Sequence, residues 1–256
     1  MHMKQHPSRF AIQDAQYQNP YHHFVSIDVN DPRQYVEVSW GLEYYGYVTR
    51  VLEHAETQPC TRVAEVGCGD GKILYEFAKQ HPEVICEGFD LSPQAIAFAS
   101  AYGHGISNLS FYEKDFSKSA GLYDVIFCVE TMEHIPDEEV EGFMEALRAK
   151  LAPHGRIIIT VPTTNRPLRA KHYRHYDHEL LAAHIPASLD IVFEEFLHND
   201  VSAGCHFIQA LLANRLWLLR TRIIRKWLFG LYVTRYRIAS AHTGAHLLVV
   251  AAHRAS

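Results

Sequence analysis

At 256 residues, 48% hydrophobic and 21% charged, the chain has the length for one large α/β domain and the composition of a globular protein, which excludes a disordered or low-complexity polypeptide. Its five cysteines (Cys60, Cys68, Cys86, Cys128, Cys205) form no Cys-x-x-Cys pair and read as free thiols of a reducing compartment; with no apolar run after a basic start, no signal peptide is expected and the expected location is cytoplasmic. The net charge of −5 is unevenly divided: from Val201 onward there is no Asp or Glu but eight Lys or Arg, so that this segment carries +8, whereas the first 200 residues carry −13.

Residues 1–35 are polar, rich in His, Gln and Tyr, and contain Pro7, Pro20 and Pro32, which predicts an irregular arm. Within it Tyr17 and the cluster Tyr21-His22-His23-Phe24 are aromatic enough to cover a ligand or to pack on the surface. Leu42, Tyr45, Val48, Val51 and Leu52 then recur at helical spacing up to Ala55, so that 1–55 reads as an arm with a leading helix. From 56 to 203 strands and helices alternate. The strands are expected at 63–66, 84–90, 109–115, 123–130, 156–161 and 191–197, with Pro153-His154-Gly155 as a turn. Ser92-Pro93 is a helix start, with the hydroxyl at the N-cap and proline at the first helical position, and another helix is expected near 177–184. Residues 204–243 are a basic, apolar-striped insertion, and 244–256 hold a last strand that completes a seven-stranded sheet. This alternation predicts a doubly wound, mostly parallel α/β sheet.

The stretch Arg62–Lys72, R-V-A-E-V-G-C-G-D-G-K, is a strand that breaks into three glycines, Gly67, Gly69 and Gly71, before the helical pattern of Ile73, Leu74, Phe77 and Ala78. Glycines there admit positive φ and let a ligand lie against the main chain. A phosphate loop would end in Gly-Lys-Ser/Thr, and Gly71-Lys72-Ile73 lacks the hydroxyl; the dinucleotide spacing would place the third glycine at position 72. The following strand ends carry acidic groups at Asp90, Asp115 and Glu130.

The glycine turn resembles the E-x-G-x-G-x-G motif of class I S-adenosylmethionine (SAM)-dependent methyltransferases. The resemblance extends from about Tyr44 to Val161 through Phe89-Asp90-Leu91-Ser92, Asp115-Phe116, Tyr123-Asp124-Val125-Ile126 and the segment Leu151-x-Pro153-x-Gly155-Arg156. It implies a Rossmann-like fold and SAM as cofactor, held by Glu65, Gly67, Cys68, Gly69, Asp90, Leu91, Asp115, Phe116 and Glu130. In that arrangement Asp90 accepts the ribose hydroxyls, Asp115 and Phe116 meet the adenine, and Glu130 lies beneath the sulfonium.

Where amino-group methyltransferases carry Asn/Asp-Pro-Pro-Tyr/Phe, this chain has Glu130-Thr131-Met132-Glu133-His134-Ile135-Pro136-Asp137. That segment is similar to the E-x-x-E-H-x-x-D of enzymes that methylate hydroxyls of quinone precursors and sugars. Oxygen is therefore the expected acceptor atom, in a small molecule, a glycan or a lipid-linked compound. His134 is the candidate base, with Glu133 and His175 as further catalytic candidates. The segment Lys171-His172-Tyr173-Arg174-His175-Tyr176 resembles the K-H-x-R-H-Y beside the acceptor pocket of small-molecule and glycan methyltransferases. It makes His172, Arg174 and Tyr176, with Tyr21 of the arm, candidate acceptor contacts. The leading reading needs no metal; an alternative set, Glu130, Glu133, His134 and His178, resembles the divalent-metal site of RNA 3′-terminal ribose 2′-O-methyltransferases. The acidic body argues against nucleic acid as a partner, and a SAM-binding protein without catalysis is the other alternative. The insertion is expected to form two amphipathic helices that break near Gly230. Its stripes fit packing on the domain, a homodimer, or peripheral contact with an anionic membrane at the inner face.

Overall fold

In the computed structural model the described residues are Ala11, 41–57, 59–213 and 221–254. Most of the expected arm, Tyr21 included, lies outside them. Helix α1 (Gly41–Ala55) leads into β1 (Arg62–Val66), α2 (Lys72–Gln80), β2 (Ile85–Asp90), α3 (Pro93–Tyr102), β3 (Leu109–Glu113), β4 (Tyr123–Val129), α4 (Val140–Ala149) and β5 (Leu151–Pro162). Then follow α5 (His178–His184), β6 (Leu189–Asn199), α6 (Ala203–Ala213), α7 (Arg222–Arg235), β7 (Ile238–Ala239) and β8 (Gly244–His253).

These strands form one sheet in the order β3-β2-β1-β4-β5-β8-β6-β7. The pairs among β1 to β5 are parallel, and β8 enters antiparallel between β5 and β6. The chain runs outward from β1 to β3 and then returns to place β4 on the other side of β1. That reversal opens a crevice at the carboxyl ends of β1 and β4, the position where open α/β sheets bind ligands.

Strand periodicity sorts the core into two layers. Val125, Phe127 and Val129 of β4 face the layer containing α1, α2, α6 and α7, while Ile126 and Cys128 face the layer containing α4 and α5. Both faces are covered, so the central strands are apolar almost throughout. Two caps expected from sequence are present: Ser92 Oγ accepts from Ala95 N at 3.2 Å, and Asp177 Oδ1 accepts from Leu180 N at 2.8 Å.

Three expectations need correction. Among the described residues the sheet has eight strands, because the two-residue β7 pairs with the end of β6 through Phe196 and Leu197. Pro153-His154-Gly155 is no turn between elements but an irregularity inside β5: Leu151 pairs with Tyr123, and regular pairing with β4 resumes at Val125–Arg156. The insertion does not break at Gly230, which sits inside α7, exposed and free of packing constraints on a glycine.

Candidate active site

All three turn glycines adopt left-handed backbone, with φ of 70° at Gly67, 54° at Gly69 and 75° at Gly71. At Gly67 space forbids a side chain as well, since a Cβ would lie 2.5 Å from Thr131 Oγ1. That hydroxyl is itself anchored between the carbonyls of Val66 and Val129, at 3.2 and 3.0 Å, across the ends of β1 and β4. Asp90 fixes the turn from the neighbouring strand: its Oδ2 accepts from Gly69 N at 2.9 Å and its Oδ1 from Ser92 N at 2.8 Å. Glu65 is buried and accepts from Leu74 N at 3.2 Å, tying β1 to the first turn of α2; burial, with Asp70 and Asp90 nearby, raises its carboxyl well above the usual range. Cys68 is buried, and burial pushes its thiol up.

Beside this turn lies a cavity of about 580 Å³, within the range of small-molecule sites. Gly67, Asp90, Leu91, Asp115, Phe116 and Glu130 all line it, together with Thr131, His134 and Tyr173. Glu65, Cys68 and Gly69 are not among its lining residues. Asp115 caps the short turn that follows β3, accepting from Ser117 N at 2.8 Å, and Phe116 is fixed edge-on against Phe89 with centroids 5.2 Å apart.

Glu130 has a φ of 49° and opens a network that spans the chain. His246 of β8 reaches Glu130 Oε1 through Nδ1 at 3.0 Å and Glu43 Oε1 through Nε2 at 2.7 Å. Arg166 then donates to Glu43 Oε2 at 3.0 Å and to Asp200 Oδ2 at 2.9 Å. Burial opposes a charge on His246, but the Glu130 and Glu43 carboxylates outweigh it and hold its pKa up at about 10. Reciprocally, burial would raise Glu43 and Glu130, and His246, with Arg166 beside Glu43 and Thr160 beside Glu130, more than reverses it. His246 is therefore an imidazolium clamped between two carboxylates. Its ring is 4.9 Å from that of Tyr47, whose hydroxyl is raised well above its usual pKa by burial and then by Glu130, Glu43 and Glu133.

On the far side of Glu130, the short turn Met132–His134 meets the segment before α5. Glu133 is buried; burial and then Glu130 raise its carboxyl well above the usual range, and among the described residues its Oε2 has no hydrogen-bond partner. His134 Nδ1 sits 3.1 Å from the Lys171 carbonyl, which can only accept, so Nδ1 donates and Nε2 keeps its lone pair, 3.8 Å from Glu133 Oε1. The same logic fixes the next pair. His175 Nδ1 donates to the Arg166 carbonyl at 3.1 Å, so its Nε2 accepts from His172 Nδ1 at 2.8 Å and His172 Nε2 keeps a lone pair. Burial, reinforced by Lys171, pushes His134 down to about 4; burial, His134 and Lys171 push His172 down to about 2. Ligand atoms of Glu133, His134 and His172 lie within 4.8 Å of one another, a grouping that can hold a metal ion.

Other expected contacts fall elsewhere. Arg174 donates to Asp137 Oδ1 at 2.7 Å and to the carbonyls of Met132 at 3.0 Å and Ile135 at 2.7 Å, with the buried Tyr176 hydroxyl at 3.2 Å. Both are a clamp between the two loops, with these polar atoms turned into protein rather than toward an acceptor. Of the four expected metal ligands only Glu133 and His134 fall in the grouping: Glu130 is engaged by His246, and His178, its side chain 57% exposed at the start of α5, pairs with Glu194, while His172 joins the set instead. Sequence reasoning did not single out Tyr47, Glu43 or His246, none of which lies in a strand-end motif, and it marked Lys171 and Tyr173 only as part of the segment before α5.

The methyltransferase-domain family matches residues 42–222, more than half of the chain. The ubiquinone biosynthesis O-methyltransferase of Acinetobacter baumannii (strain ACICU) is 29% identical over 109 residues, covering 41% of this chain and 44% of that protein. The trans-aconitate 2-methyltransferase of Deinococcus radiodurans is 26% identical over 126 residues, covering 49% and 44%. The chain thus spans less than half the length of these curated relatives. Among solved structures, the N-methyltransferase NodS of Bradyrhizobium japonicum, in complex with S-adenosyl-L-homocysteine, superposes with a TM-score of 0.62 at 14% identity, over 98% of this chain and all of that one, a likeness of fold. With the glycine turn, the acidic strand ends and the strand order already described, these matches establish that the chain belongs to the class I SAM-dependent methyltransferase family.

Proposed function

We propose that the protein transfers the methyl group of SAM to a hydroxyl of a small-molecule, sugar or lipid-linked acceptor. SAM supplies an electrophilic methyl carbon on a sulfonium. The chain supplies the cradle. Asp90 lines the cavity and accepts one backbone N–H on each carboxylate oxygen, and a carboxylate held there suits a ribose diol. Asp115 and Phe116 wall the part of the cavity suited to adenine, and Glu130, held ionised by His246, provides negative charge suited to the sulfonium. Alignment of nucleophile and methyl carbon is then the main catalytic task.

The observation that carries oxygen as the acceptor is the turn after β4. Where amino-group methyltransferases carry Asn/Asp-Pro-Pro-Tyr/Phe, this turn presents a neutral imidazole whose unprotonated Nε2, beside a buried carboxyl, can take the proton that a hydroxyl must lose. The names of the ubiquinone-pathway relatives support the same reading. His134 as sole base is a weak proton acceptor at neutral pH, because burial depresses it to about 4. A second reading is favoured by the orphaned Glu133 Oε2 and by the two lone pairs aimed into one space. There Glu133, His134 and His172 hold a divalent cation, each imidazole braced by a hydrogen bond through its other nitrogen. Such a cation lowers the pKa of a hydroxyl bound to it. Turnover with a panel of hydroxylated and aminated acceptors, before and after chelation, separates these readings. Products methylated only on nitrogen end the oxygen assignment, and turnover indifferent to chelator and to added Mg, Mn or Zn ends the metal reading.

A further inference from the structure

Helices α6 and α7 are apolar on two faces. Their inner faces use Cys205, Ile208, Leu212, Leu228, Phe229 and Tyr232, all buried in the layer that contains α1. The Tyr232 hydroxyl donates to the Leu42 carbonyl at 2.7 Å, and Phe229 meets Tyr45 edge-on at 4.7 Å. Packing on the domain is thereby accounted for. Their outer faces are apolar too. On α7, Ile223, Trp227 and Gly230 recur at helical spacing, with Ile223 80% and Trp227 65% exposed. On α6 the outward positions are Ala203, His206, Phe207, Ala210 and Leu211, with Phe207 64% exposed and His206 at the start of the helix 3.6 Å from Asp200. An exposed Trp, Phe and Ile on adjacent helices exceed the scattered apolar residues of an ordinary surface.

Charge indicates the occupant. No acidic residue occurs from Val201 onward, and Lys226 and Arg235 are exposed on α7 itself. Arg237 and Arg254 are paired with Glu53 and Asp190, but a second copy packed symmetrically on this face would still set Lys226 and Arg235 against their counterparts, with no acidic residue of α6 or α7 between them. A phosphate-bearing surface supplies the missing counter-charge and accepts Trp at its interface. Among the described residues no helix is long and apolar enough to cross a membrane. Topology also fits. β6 and β5 are both antiparallel to β8, so β6 ends on the same side of the sheet as Glu130 and His134, and α6 departs from that end.

We propose that the outer face of α6 and α7 docks on an anionic lipid surface, with Phe207, Ile223 and Trp227 among the head groups and the basic residues against phosphate. This does not depend on the acceptor atom. Co-sedimentation of the full chain with vesicles of phosphatidylcholine alone, or of phosphatidylcholine mixed with phosphatidylglycerol, tests it. Binding is expected to favour the anionic vesicles by roughly tenfold at low salt and to weaken at physiological salt. Lys226→Glu is expected to lower that preference, and Ile223→Ser with Trp227→Ser to abolish binding, while SAM affinity measured by calorimetry stays unchanged. Should the double variant fail to bind SAM, Phe207→Ser on the other helix replaces it. Equal binding to both vesicle types, or none, overturns the proposal. So does a concentration-dependent dimer that Trp227→Ser dissolves, which would assign the face to a second copy.

Discussion

Replacing Asp90 by Asn probes the cofactor cradle most sharply, because the change is nearly isosteric yet wrong for this site. Both carboxylate oxygens already accept a backbone N–H, from Gly69 at 2.9 Å and from Ser92 at 2.8 Å. An amide offers one oxygen and one NH2, so either orientation sets a donor against a donor and loosens either the glycine turn or the start of α3. The variant also loses the charge that the proposed ribose contacts would use. A hydrogen bond to a charged group contributes about 1.5–3 kcal/mol, and with the disturbed turn the loss comes to ~3 kcal/mol, or roughly 100-fold in Kd. Calorimetric titration of SAM into the wild type and into Asp90→Asn, with melting temperatures recorded to establish folding, measures it. Asp90→Ala is expected to lose about as much. An Asn variant that is folded and binds SAM within threefold of the wild type would refute the reasoning, since it would show that neither the charge nor the paired amides matter.

Gly67→Ala combines a left-handed φ of 70° with a Cβ 2.5 Å from the anchored Thr131 hydroxyl; a loss of at least ~2 kcal/mol in denaturant unfolding is expected, together with loss of SAM binding. His246 is held at about 10, above its ordinary value, so the stability it contributes is complete below the unfolded pKa and disappears as pH rises toward 10. His246→Gln should accordingly be less stable at pH 7 than the wild type and should flatten the decline between pH 7 and pH 10, as read from thermal melts across that range. Arg174→Ala removes the bonds that join the loop after β4 to the loop before α5; turnover should fall together with melting temperature, and a fall in acceptor affinity alone would return Arg174 to the acceptor pocket. Under the metal reading, His172→Ala should weaken Mn or Zn binding in calorimetry by 10-fold or more.

Much of the fold was legible because it rests on local patterns. The apolar runs of β1 and β4, the glycine turn and the caps at Ser92 and Asp177 are each set within a few residues of sequence. So were the acidic residues at the strand ends, because a parallel sheet places successive carboxyl ends side by side. The clamp around His246 was not legible, since its partners Glu130 and Glu43 lie 116 and 203 positions away and only the antiparallel insertion of β8 brings them together. The segment Lys171–Tyr176, expected beside an acceptor pocket, meets the turn after β4. A motif, however, does not reveal where side chains point: Arg174 and Tyr176 turn inward, His172 faces Glu133, and His178 begins a helix that carries it out to Glu194. Proline and glycine misled twice, at 153–155 where a strand bulges and at Gly230 where a helix continues, because their effects on a helix or strand depend on neighbouring packing.

Transfer of a methyl group from SAM to oxygen is the central claim. Turnover with SAM carrying a 13C-labelled methyl group, against paired acceptors that offer a hydroxyl or an amine on the same skeleton, tests it directly. The carbon shift of the product distinguishes O–CH3 from N–CH3. The expected result is an O-methyl signal that is lost in Asp90→Asn and strongly reduced in His134→Ala. An N-methyl product, or bound SAM that transfers its methyl to neither series, would contradict it.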